Sequence, residues 1–578
     1  MKMKKLIILL LGLGLFSCER FLDRSPDQGV TESEVFTNYE SYRAFNDQLY
    51  AYLDDYFDWR RRFDSGSFSD ETENNSNWTV QNDMNAGGFY SKPGNAQQHE
   101  IGWEMSSHGI GSRSPVIANG FQAIRAANIS IERIEMLEDA TQQQIDELLG
   151  QAYFMRAWHY FQILIRWGGM PEMSASFTPD TDFNLPRRNF VESAEDCLND
   201  LDMAFELLPT RWELNQLGRV TKGSALGLKE MIQLYMASPL MQQHSGNSAT
   251  YNHELLKAAM KTQGDLFRNA GEYGIALLNG DNYRDIFYSE FEPANSEYIF
   301  WRHTGVRSAQ DLKNHFIPQS YGGGNATTGP TQNTVDRYEM ISGLPISDPD
   351  SGYDPSKPYE NRDPRFYNNI LYDGAPWGMN GDTQLYIETY TGGREDKLPI
   401  NQRSLTGYFV KKYWPEGSNR WENRYGMHFM PWVYIRYAQV YLDFAEAANE
   451  VYGPTAAAPE TGISAVQAIN IIRNRVGMPD VNAKYTSSKE AFRDRIRNER
   501  AVELCFEGHR WFDSRRWKTA VQDYRTVRKV VITKNGDDAT YEYPEIPNAR
   551  NFAERNYWYP IPLEEVSKNE NFTQNPGW

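Results

Sequence analysis

The sequence predicts a mainly α-helical protein, with tetratricopeptide-like helix pairs as a scaffold and a loop-rich lobe that contains short strands. Two observations lead to this prediction. Over long segments, apolar residues recur at helical spacing, and short turns join these segments. Between about residues 285 and 430, in contrast, Gly, Pro, Asn and Asp are frequent and only short strand-like pieces occur. With 578 residues, 40% of them hydrophobic, the chain can bury a large core.

Six helices are predicted in the first half of the chain, where apolar side chains repeat every three or four residues. Stop signals end two of them, at Gly168-Gly169-Met170-Pro171 and at Asn279-Gly280. The predicted helices cover residues 32–55, 115–137, 141–167, 193–208, 222–240 and 255–278. Residues 57–112 show little periodicity, and loops of this length are usually functional or disordered.

The second half of the chain passes through the lobe and then returns to helices. Strand-like pieces cover residues 298–301, 385–390 and 408–413, and helices are predicted over 431–451, 464–476 and 489–506. Residues 530–543 form a hairpin candidate in which Asn535-Gly536 gives the turn. Stacked helix pairs bury one face against their neighbours, so this scaffold needs no cofactor.

The N-terminus has the features of an export signal. Lys2, Lys4 and Lys5 precede an apolar run over residues 6–16, which is too short to span a membrane. The run ends at Cys18 in a pattern like a bacterial lipobox, which predicts lipidation of that cysteine; the alternative is an ordinary signal peptide with an incidental cysteine. We therefore predict a signal peptide over 1–17 and one unit over 18–578, with scaffold at about 32–280 and 430–520 and lobe at about 57–112 and 285–430.

Charge and cysteine content restrict the function. The formal charge is −18 and becomes −21 once residues 1–17 are removed, which argues against a nucleic-acid binder and against docking on anionic lipid through a basic patch. Cys197 and Cys505 lie in helical patterns and are predicted to be buried, with a disulfide between them as the alternative.

Short motifs recur in order along the chain. The most specific is Ile496-Arg497-Asn498-Glu499-Arg500 followed by Phe506-Glu507-Gly508-His509-Arg510-Trp511-Phe512-Asp513. The others are Cys18 with Phe21-Leu22-Asp23, and residues 156–171, 222–226, 235–239, 361–366, 435–447, 559–562 and 575–578. Together they resemble the SusD/RagB family of surface glycan-binding lipoproteins over essentially the whole chain.

The resemblance implies a protein without catalytic activity or cofactor. It would sit on the cell surface, attached to the outer membrane by its N-terminal lipid. It would cap a SusC-like TonB-dependent transporter and hand it oligosaccharides or polysaccharides. Alternatives are a member of the same family that binds peptides or another nutrient, a surface glycoside hydrolase, or a structural lid on the transporter with no ligand affinity.

Most of the motif residues are interpreted as structural. Glu499, Arg500, Glu503, Glu507 and Arg510 recur at helical spacing, which predicts charge pairs on a solvated helix face. Single histidines are more often structural than catalytic, so His509 is assigned a structural role. Four tryptophans in the repeat motifs are predicted to be core residues: Trp158, Trp167, Trp511 and Trp517.

Sugar binding calls for an exposed aromatic ring beside polar side chains, because a sugar has an apolar CH face and a rim of hydroxyls. Candidates with this chemistry are Trp78 in a polar loop, with Asp70 and Asn77 nearby, Trp301 at the end of a strand-like piece, and Tyr321 before three glycines. Packing in the core is the alternative for each ring. A calcium site is a weaker hypothesis for Asp348, Asp350 and Asp354, where Gly352 and Tyr353 break the EF-hand pattern and a solvated turn is favoured.

Overall fold

A computed structural model describes residues 32–56, 68–74, 85, 100, 115–308, 318–322, 328–415, 426–547 and 549–578. Helices dominate on both sides of the predicted lobe. In the first half they are α1 (Glu32–Phe36), α2 (Tyr39–Ala51), α3 (Val116–Glu132), α4 (Gln142–Trp167), α5 (Phe190–Leu207), α6 (Lys222–Ala237), α7 (Pro239–His244) and α8 (His253–Tyr273). In the second half they are α9 (Gln319–Gly322), α10 (Gln332–Arg337), α11 (Pro364–Asn369), α12 (Tyr437–Tyr452), α13 (Ala465–Asn474), α14 (Lys489–Glu503), α15 (Arg510–Arg516), α16 (Ala520–Asp523) and α17 (Leu563–Lys568).

Capping interactions between neighbouring residues set the ends of the long helix α4. Thr141 caps α4 through a capping box, since its hydroxyl accepts from the Gln144 amide at 3.3 Å and its own amide donates to the Gln144 side chain at 2.9 Å. Gly168 ends the same helix at a φ of 82°, a conformation that favours glycine. Four of the helices predicted for the first half lie within about five residues of their expected bounds, namely α3, α4, α5 and α8.

Consecutive long helices pack on one another in chain order. Helix α3 packs on α4, α4 on α5, α5 on α6, α6 on α8, α8 on α12, and α12 on α13 and α14. Two of the helices approach closely at a glycine: a Cβ at Gly120 of α3 would lie 3.0 Å from Ile163 of α4. This serial packing confirms the tetratricopeptide-like scaffold. The four tryptophans assigned to its core are indeed buried, at 0–7% exposure.

Within the described residues, the strands form six two-stranded antiparallel ribbons. The strands are β1 (Thr72–Asn74), β2 (Tyr298–Arg302), β3 (Val306–Ser308), β4 (Thr328–Pro330), β5 (Ile370–Leu371), β6 (Pro376–Asn380), β7 (Thr383–Tyr386), β8 (Phe409–Val410), β9 (Met427–Phe429), β10 (Trp432–Arg436), β11 (Val531–Asn535) and β12 (Asp538–Glu542). They pair as β1–β4, β2–β10, β3–β9, β5–β8, β6–β7 and β11–β12. The β2–β10 ribbon packs against α4, where Trp158 contacts Phe300 with ring centroids 4.9 Å apart.

Three predicted helices differ in extent from the structure, and the turn of the predicted hairpin lies one residue later than predicted. Residues 431–451 are not one helix, because the aromatic and β-branched residues of β10 pair with β2 before α12 begins. Two predicted helices are each divided into two. The helix over 32–55 breaks at Asn38, which caps the second part. The helix over 222–240 breaks before Pro239, because proline has no backbone N–H to donate within a helix. The hairpin forms, but Asn535 pairs with Asp538, so Gly536 and the residue after it make the turn.

The charged motif of α14 and α15 is buried rather than solvated, which corrects the sequence interpretation. Glu499, Arg500, Glu503, Glu507 and Arg510 are 0–7% exposed. Their partners come from distant parts of the chain rather than from the next helical turn. Such ion pairs are Arg365 with Glu499 at 2.6 Å, Arg436 with Glu503 and Glu507 at 2.7 Å, and Arg510 with Asp70 at 2.9 Å. Buried charges need partners, and here tertiary contacts supply them.

Two further structural predictions concern His509 and the two cysteines. Burial, together with the nearby Arg500, lowers the pKa of His509 to about 4, so this side chain is neutral at pH 7. Cys197 and Cys505 are both buried free thiols, which confirms the burial prediction and excludes a disulfide between them.

Candidate functional site

The predicted ligand lobe is assembled from segments that are far apart in sequence. The carboxylate of Asp55 lies 3.0 Å from the guanidinium of Arg307, and Arg307 faces His428 across the β3–β9 ribbon. Three residues near one end of 57–67, 309–317 and 416–425 therefore lie together, namely Asp55, Arg307 and His428. In the same way, Asn74 pairs with Thr328 across β1–β4, which brings together residues flanking 75–84 and 323–327.

Aromatic packing supports the first of these junctions. The ring of Tyr56 stacks on Trp432, with centroids 4.8 Å apart, and Trp432 lies 5.9 Å from Tyr413. The Tyr434 hydroxyl donates to the carbonyl of Asp54, and the Arg302 guanidinium donates to that of Leu53. The residues that follow α2 are therefore held against the β2–β10 ribbon.

One face of the β3–β9 ribbon is apolar and open to solvent. Val306 is opposite Phe429 and Ser308 is opposite Met427, so these side chains share a face because alternate strand residues point the same way. Val306 is 46% exposed and Met427 is 55% exposed. The opposite face carries Arg307 and His428, whose side chains are largely buried.

Phe291 follows a segment that pairs with β9 and is 82% exposed. It lies in a turn that follows Ser289, and the Ser289 hydroxyl accepts from the amides of Phe291 and Glu292 at 3.3 and 3.0 Å. Ser289 itself pairs with Phe429 as an isolated bridge, which places Phe291 beside β9. We name the side chains of Phe291, Val306 and Met427 the apolar platform.

The sequence reasoning did not select Phe291, although the signal was present. The residue stands between two acids and before a proline, in Glu290-Phe291-Glu292-Pro293, away from any helical stripe. The same reasoning had selected Trp78, an aromatic residue in an acidic polar loop. What the sequence lacked was the pairing of Ser289 with Phe429, because that contact spans 140 positions along the chain.

Asp70 is an anchor in the core rather than an accessible polar group. It is 1% exposed and pairs with Arg510 at 2.9 Å and with Arg337. Burial alone would raise its pKa, but the two arginines outweigh that effect and hold the pKa at about 2. Asp70 therefore ties the residues before β1 to α15.

The two aromatic candidates within the described ranges are also buried. Trp301 is 8% exposed and packs against Tyr298 and His303, both with ring centroids 5.4 Å away. Tyr321 is 0% exposed, and its hydroxyl donates to the carbonyl of Tyr386. Neither ring presents an open face in this structure, and a ligand contact at either stays a prediction. Trp78 and Asn77 lie outside the described residues.

The three acids of the calcium hypothesis do not converge on one point. Asp348 accepts from Tyr485 and pairs with Lys484, whereas Asp354 accepts from the amide and hydroxyl of Ser356 at 2.9 and 2.7 Å. In the described part of the chain, no three His, Cys, Asp or Glu side chains are grouped so that they could hold a metal ion. The structure gives the calcium hypothesis no support, because protein donors use these carboxylates.

A sequence profile described as the SusD family matches residues 285–578, which is more than half of the chain. The chain belongs to the SusD family. A second profile, described as starch-binding and associating with the outer membrane, matches residues 20–234. Both halves of the chain therefore carry a SusD-type signature.

Individual SusD-like proteins agree with this assignment. SusD-like protein P2 of Formosa agariphila is 24% identical over 472 residues, 79% of each chain. A crystal structure of a SusD-like protein from Bacteroides fragilis superposes with a TM-score of 0.74 at 24% identity, covering 96% of this chain and all of that one. A second one from that organism, titled a SusD-like carbohydrate binding protein, gives 0.71 at 20% identity and covers 93% of this chain and all of its own. These structures show that the chain shares the SusD fold.

One further observation concerns the membrane. Of the helices within the described ranges, none has both the length and the apolar character required to cross a lipid bilayer.

Proposed function

We propose that this protein is a non-catalytic, cell-surface glycan-binding lipoprotein that captures an oligosaccharide or polysaccharide and passes it to a SusC-like TonB-dependent transporter. The observation that carries the proposal is the match of residues 20–234 to a profile described as starch-binding and associating with the outer membrane. Membership of the SusD family over residues 285–578 supports the same conclusion.

The apolar platform offers the chemistry that a sugar ring needs. The exposed ring of Phe291 can pack on the CH face of a sugar, while the neighbouring acids Glu290 and Glu292 can accept hydrogen bonds from its hydroxyls. Its three side chains are 46–82% exposed, so a polymer can approach them without being threaded through a closed site. We place the glycan on this surface, with Trp78 as a second contact expected from the sequence.

The proposal includes a lipid anchor at Cys18 and a SusC-like transporter as the partner. Lipidation of Cys18 attaches the protein to the outer membrane, and a polar tether over residues 19–31 separates the lipid from α1. The transporter receives the glycan from the lobe. The absence of catalysis is part of the proposal and rests on the resemblance to SusD-like proteins, one of which is titled a carbohydrate binding protein.

Replacement of the exposed aromatic ring tests the platform. Phe291→Ala should weaken polysaccharide binding by about 0.5–1.5 kcal/mol, a roughly two- to twelve-fold rise in Kd, because one ring contact is lost. The matched control is Leu214→Ala, an 84% exposed apolar residue on a 3₁₀ turn outside the lobe. Affinity gels with a panel of polysaccharides, followed by calorimetric titration of the retained glycan, measure both variants.

Trp78→Ala is examined beside these variants. It should weaken binding while the unfolding temperature stays near that of the wild type, and a large loss of stability would assign Trp78 to the core instead. If no glycan is retained and peptides bind, the ligand class is wrong. Release of sugar from any polysaccharide of the panel would overturn the non-catalytic assignment.

A further inference from the structure

An apolar groove lies on the scaffold between helix α3, residues 170–185 and the C-terminal residues 565–572. Its volume is about 810 Å³. Aliphatic and aromatic side chains make up more than half of its lining, and they include Ile124, Met173, Phe177, Phe183, Leu185 and Phe572. Phe183 is 59% exposed, and its ring meets that of Phe177 edge-on with centroids 5.6 Å apart. A large open apolar surface of this kind marks a place where another segment binds.

Hydrogen bonds to the backbone hold both walls of the groove in place. The side-chain amide of Asn128 on α3 donates to the carbonyl of Met173 at 3.0 Å. The side-chain amide of Asn569, after α17, donates to the carbonyl of Leu185 at 2.9 Å. The groove is therefore built by three separate parts of the chain that are fixed to one another.

The charged residues that line the groove balance one another. Arg125 and Lys568 are basic, whereas Asp182 and Glu565 are acidic. Glu565 lies 2.8 Å from Lys568, and Arg125 donates to the carbonyl of Phe177 at 3.4 Å. These four side chains sum to no net charge, which suits an apolar segment with charges of both signs beside it.

The first described residues of the chain lie at one end of this groove. Glu32, where α1 begins, pairs with Arg133, directly after α3. The preceding residue, Glu132, accepts from the amide of Ser176 at 2.7 Å, and Ser176 lines the groove. Residues 18–31, which lie outside the described residues, therefore join the fold next to the groove.

The sequence of residues 18–31 contains one pair of adjacent large apolar side chains. They are Phe21 and Leu22, with Arg20 and Asp23 on either side. Leu22 is ten positions before Glu32, which corresponds to about 33 Å of extended chain. Seven positions along α3, from Glu132 back to a groove residue, correspond to only about 10 Å. The segment is therefore long enough to bring its apolar pair to the groove.

We propose that this groove is the docking site of the chain's own N-terminal segment, with Phe21 and Leu22 packed against Phe177 and Phe183. The interaction is favourable because it removes both apolar surfaces from water. Cys18 stands three positions before Phe21, so only about 10 Å of chain then separates a lipid on Cys18 from the protein. Docking thereby turns the α3 face toward the membrane. This orientation rests on the proposed lipidation, whereas the docking itself does not.

Disulfide trapping tests the docking in the full mature chain, residues 18–578, with Cys18→Ser to prevent lipidation. Leu22→Cys is combined with Ala175→Cys, at an exposed residue on the groove wall. The control combines Leu22→Cys with Glu138→Cys, at an exposed residue beside α1 whose amide donates to the carbonyl of Thr37 at 3.2 Å. Cross-linking to Ala175→Cys should be about five-fold faster or more, because docking raises the local concentration of the segment there.

Hydrogen exchange tests the same contact without added cysteines. In the double variant Phe21→Ser/Leu22→Ser, the amides of residues 171–185 should exchange about five-fold faster or more, because an apolar cover is removed from them. Leu214→Ser is the matched control, since Leu214 is 84% exposed on a 3₁₀ turn outside the groove. It should leave these amides unchanged, and circular dichroism confirms that both variants are folded.

The outcomes separate docking from its alternatives. A faster cross-link within one chain to Ala175→Cys, together with faster exchange in the double variant, supports the docking. Equal cross-linking rates at the two positions, or unchanged exchange in the double variant, overturn it. A cross-link between two chains whose yield rises with protein concentration assigns the groove to a second copy and also overturns it. A protein whose segment docks but which retains no polysaccharide refutes the proposed function and leaves the docking standing.

Discussion

Glu503 is the centre of the buried ion-pair network, and its neutralisation should destabilise the fold strongly. Its carboxylate is 0% exposed and pairs with Arg436 at 2.7 Å, with Arg365 at 3.0 Å and with Arg475. Burial alone would raise its pKa, but the surrounding guanidinium groups outweigh burial and lower it. Glu503→Gln keeps the shape of the side chain and removes the negative charge.

The expected loss follows from the charges left behind. Removing one partner of a buried ion pair costs about 3–5 kcal/mol, because the remaining charge is buried and uncompensated. For a chain of this length, the unfolding entropy is about 1.2 kcal/mol/K, so that loss lowers the Tm by about 3–4 °C. The control is Glu565→Gln, which removes an ion pair at the surface: Glu565 lies 2.8 Å from Lys568, and both side chains are at least 39% exposed. Such surface pairs contribute about 0–1 kcal/mol to the free energy of unfolding.

Differential scanning calorimetry of the two variants and the wild type measures the effect. A Tm of Glu503→Gln no lower than that of Glu565→Gln would refute the reasoning. The pH dependence gives a second check. Because folding lowers the pKa of Glu503 from its usual 4.5, its stabilisation is complete above that pH and is lost as the pH falls below it. The difference between wild type and Glu503→Gln should therefore shrink as the pH is lowered below 4.5.

Two further predictions concern a buried acid and two glycines. Burial raises the pKa of Glu71 from 4.5 to about 7, so the stability that it contributes is full below pH 4.5 and lost as the pH rises to 7. Glu71→Gln should match the wild type at pH 4 and exceed it by about 3 kcal/mol at pH 8 in urea unfolding; equal stability at pH 8 would contradict this. Gly169→Ala should destabilise the fold by more than about 2 kcal/mol, because the added Cβ would lie 2.1 Å from the carbonyl oxygen of Arg188. Gly271→Ala in α8 should stabilise the fold by up to about 1 kcal/mol, because no other atom lies within 4 Å of the added Cβ and alanine favours the helix. A similar Tm for both alanine variants would refute the steric argument.

Much of the helical scaffold could be predicted because its signals are local. The capping box at Thr141 and the stop at Gly168 depend only on neighbouring residues, and α4 lies where they place it. The apolar periodicity that predicts a buried face is local as well. Residues 431–451 show the limit of such signals: their helical periodicity is real, yet β10 forms there because β2, over 130 positions earlier, offers a partner strand.

The candidate site was harder to predict, since a loop aromatic looks the same in sequence whether it is buried or exposed. Tyr321 and Trp301 have the loop setting expected of a ligand platform, but the structure buries both rings. Phe291 has a similar setting and is exposed. Burial depends on which distant segments fold over a side chain, and single-sequence patterns carry no information about that.

By itself, the sequence determined the fold class, the boundaries of most long helices and, through motifs in a fixed order, the family. Tertiary structure alone decided which charges and aromatic rings face solvent. The charged motif around Glu503 has the spacing of a solvated helix, yet partners on α11, β10 and the segment after α13 surround it. The physical reason is that helix formation depends on interactions within about four residues, whereas the burial of a charge or a ring depends on contacts between residues far apart in the chain.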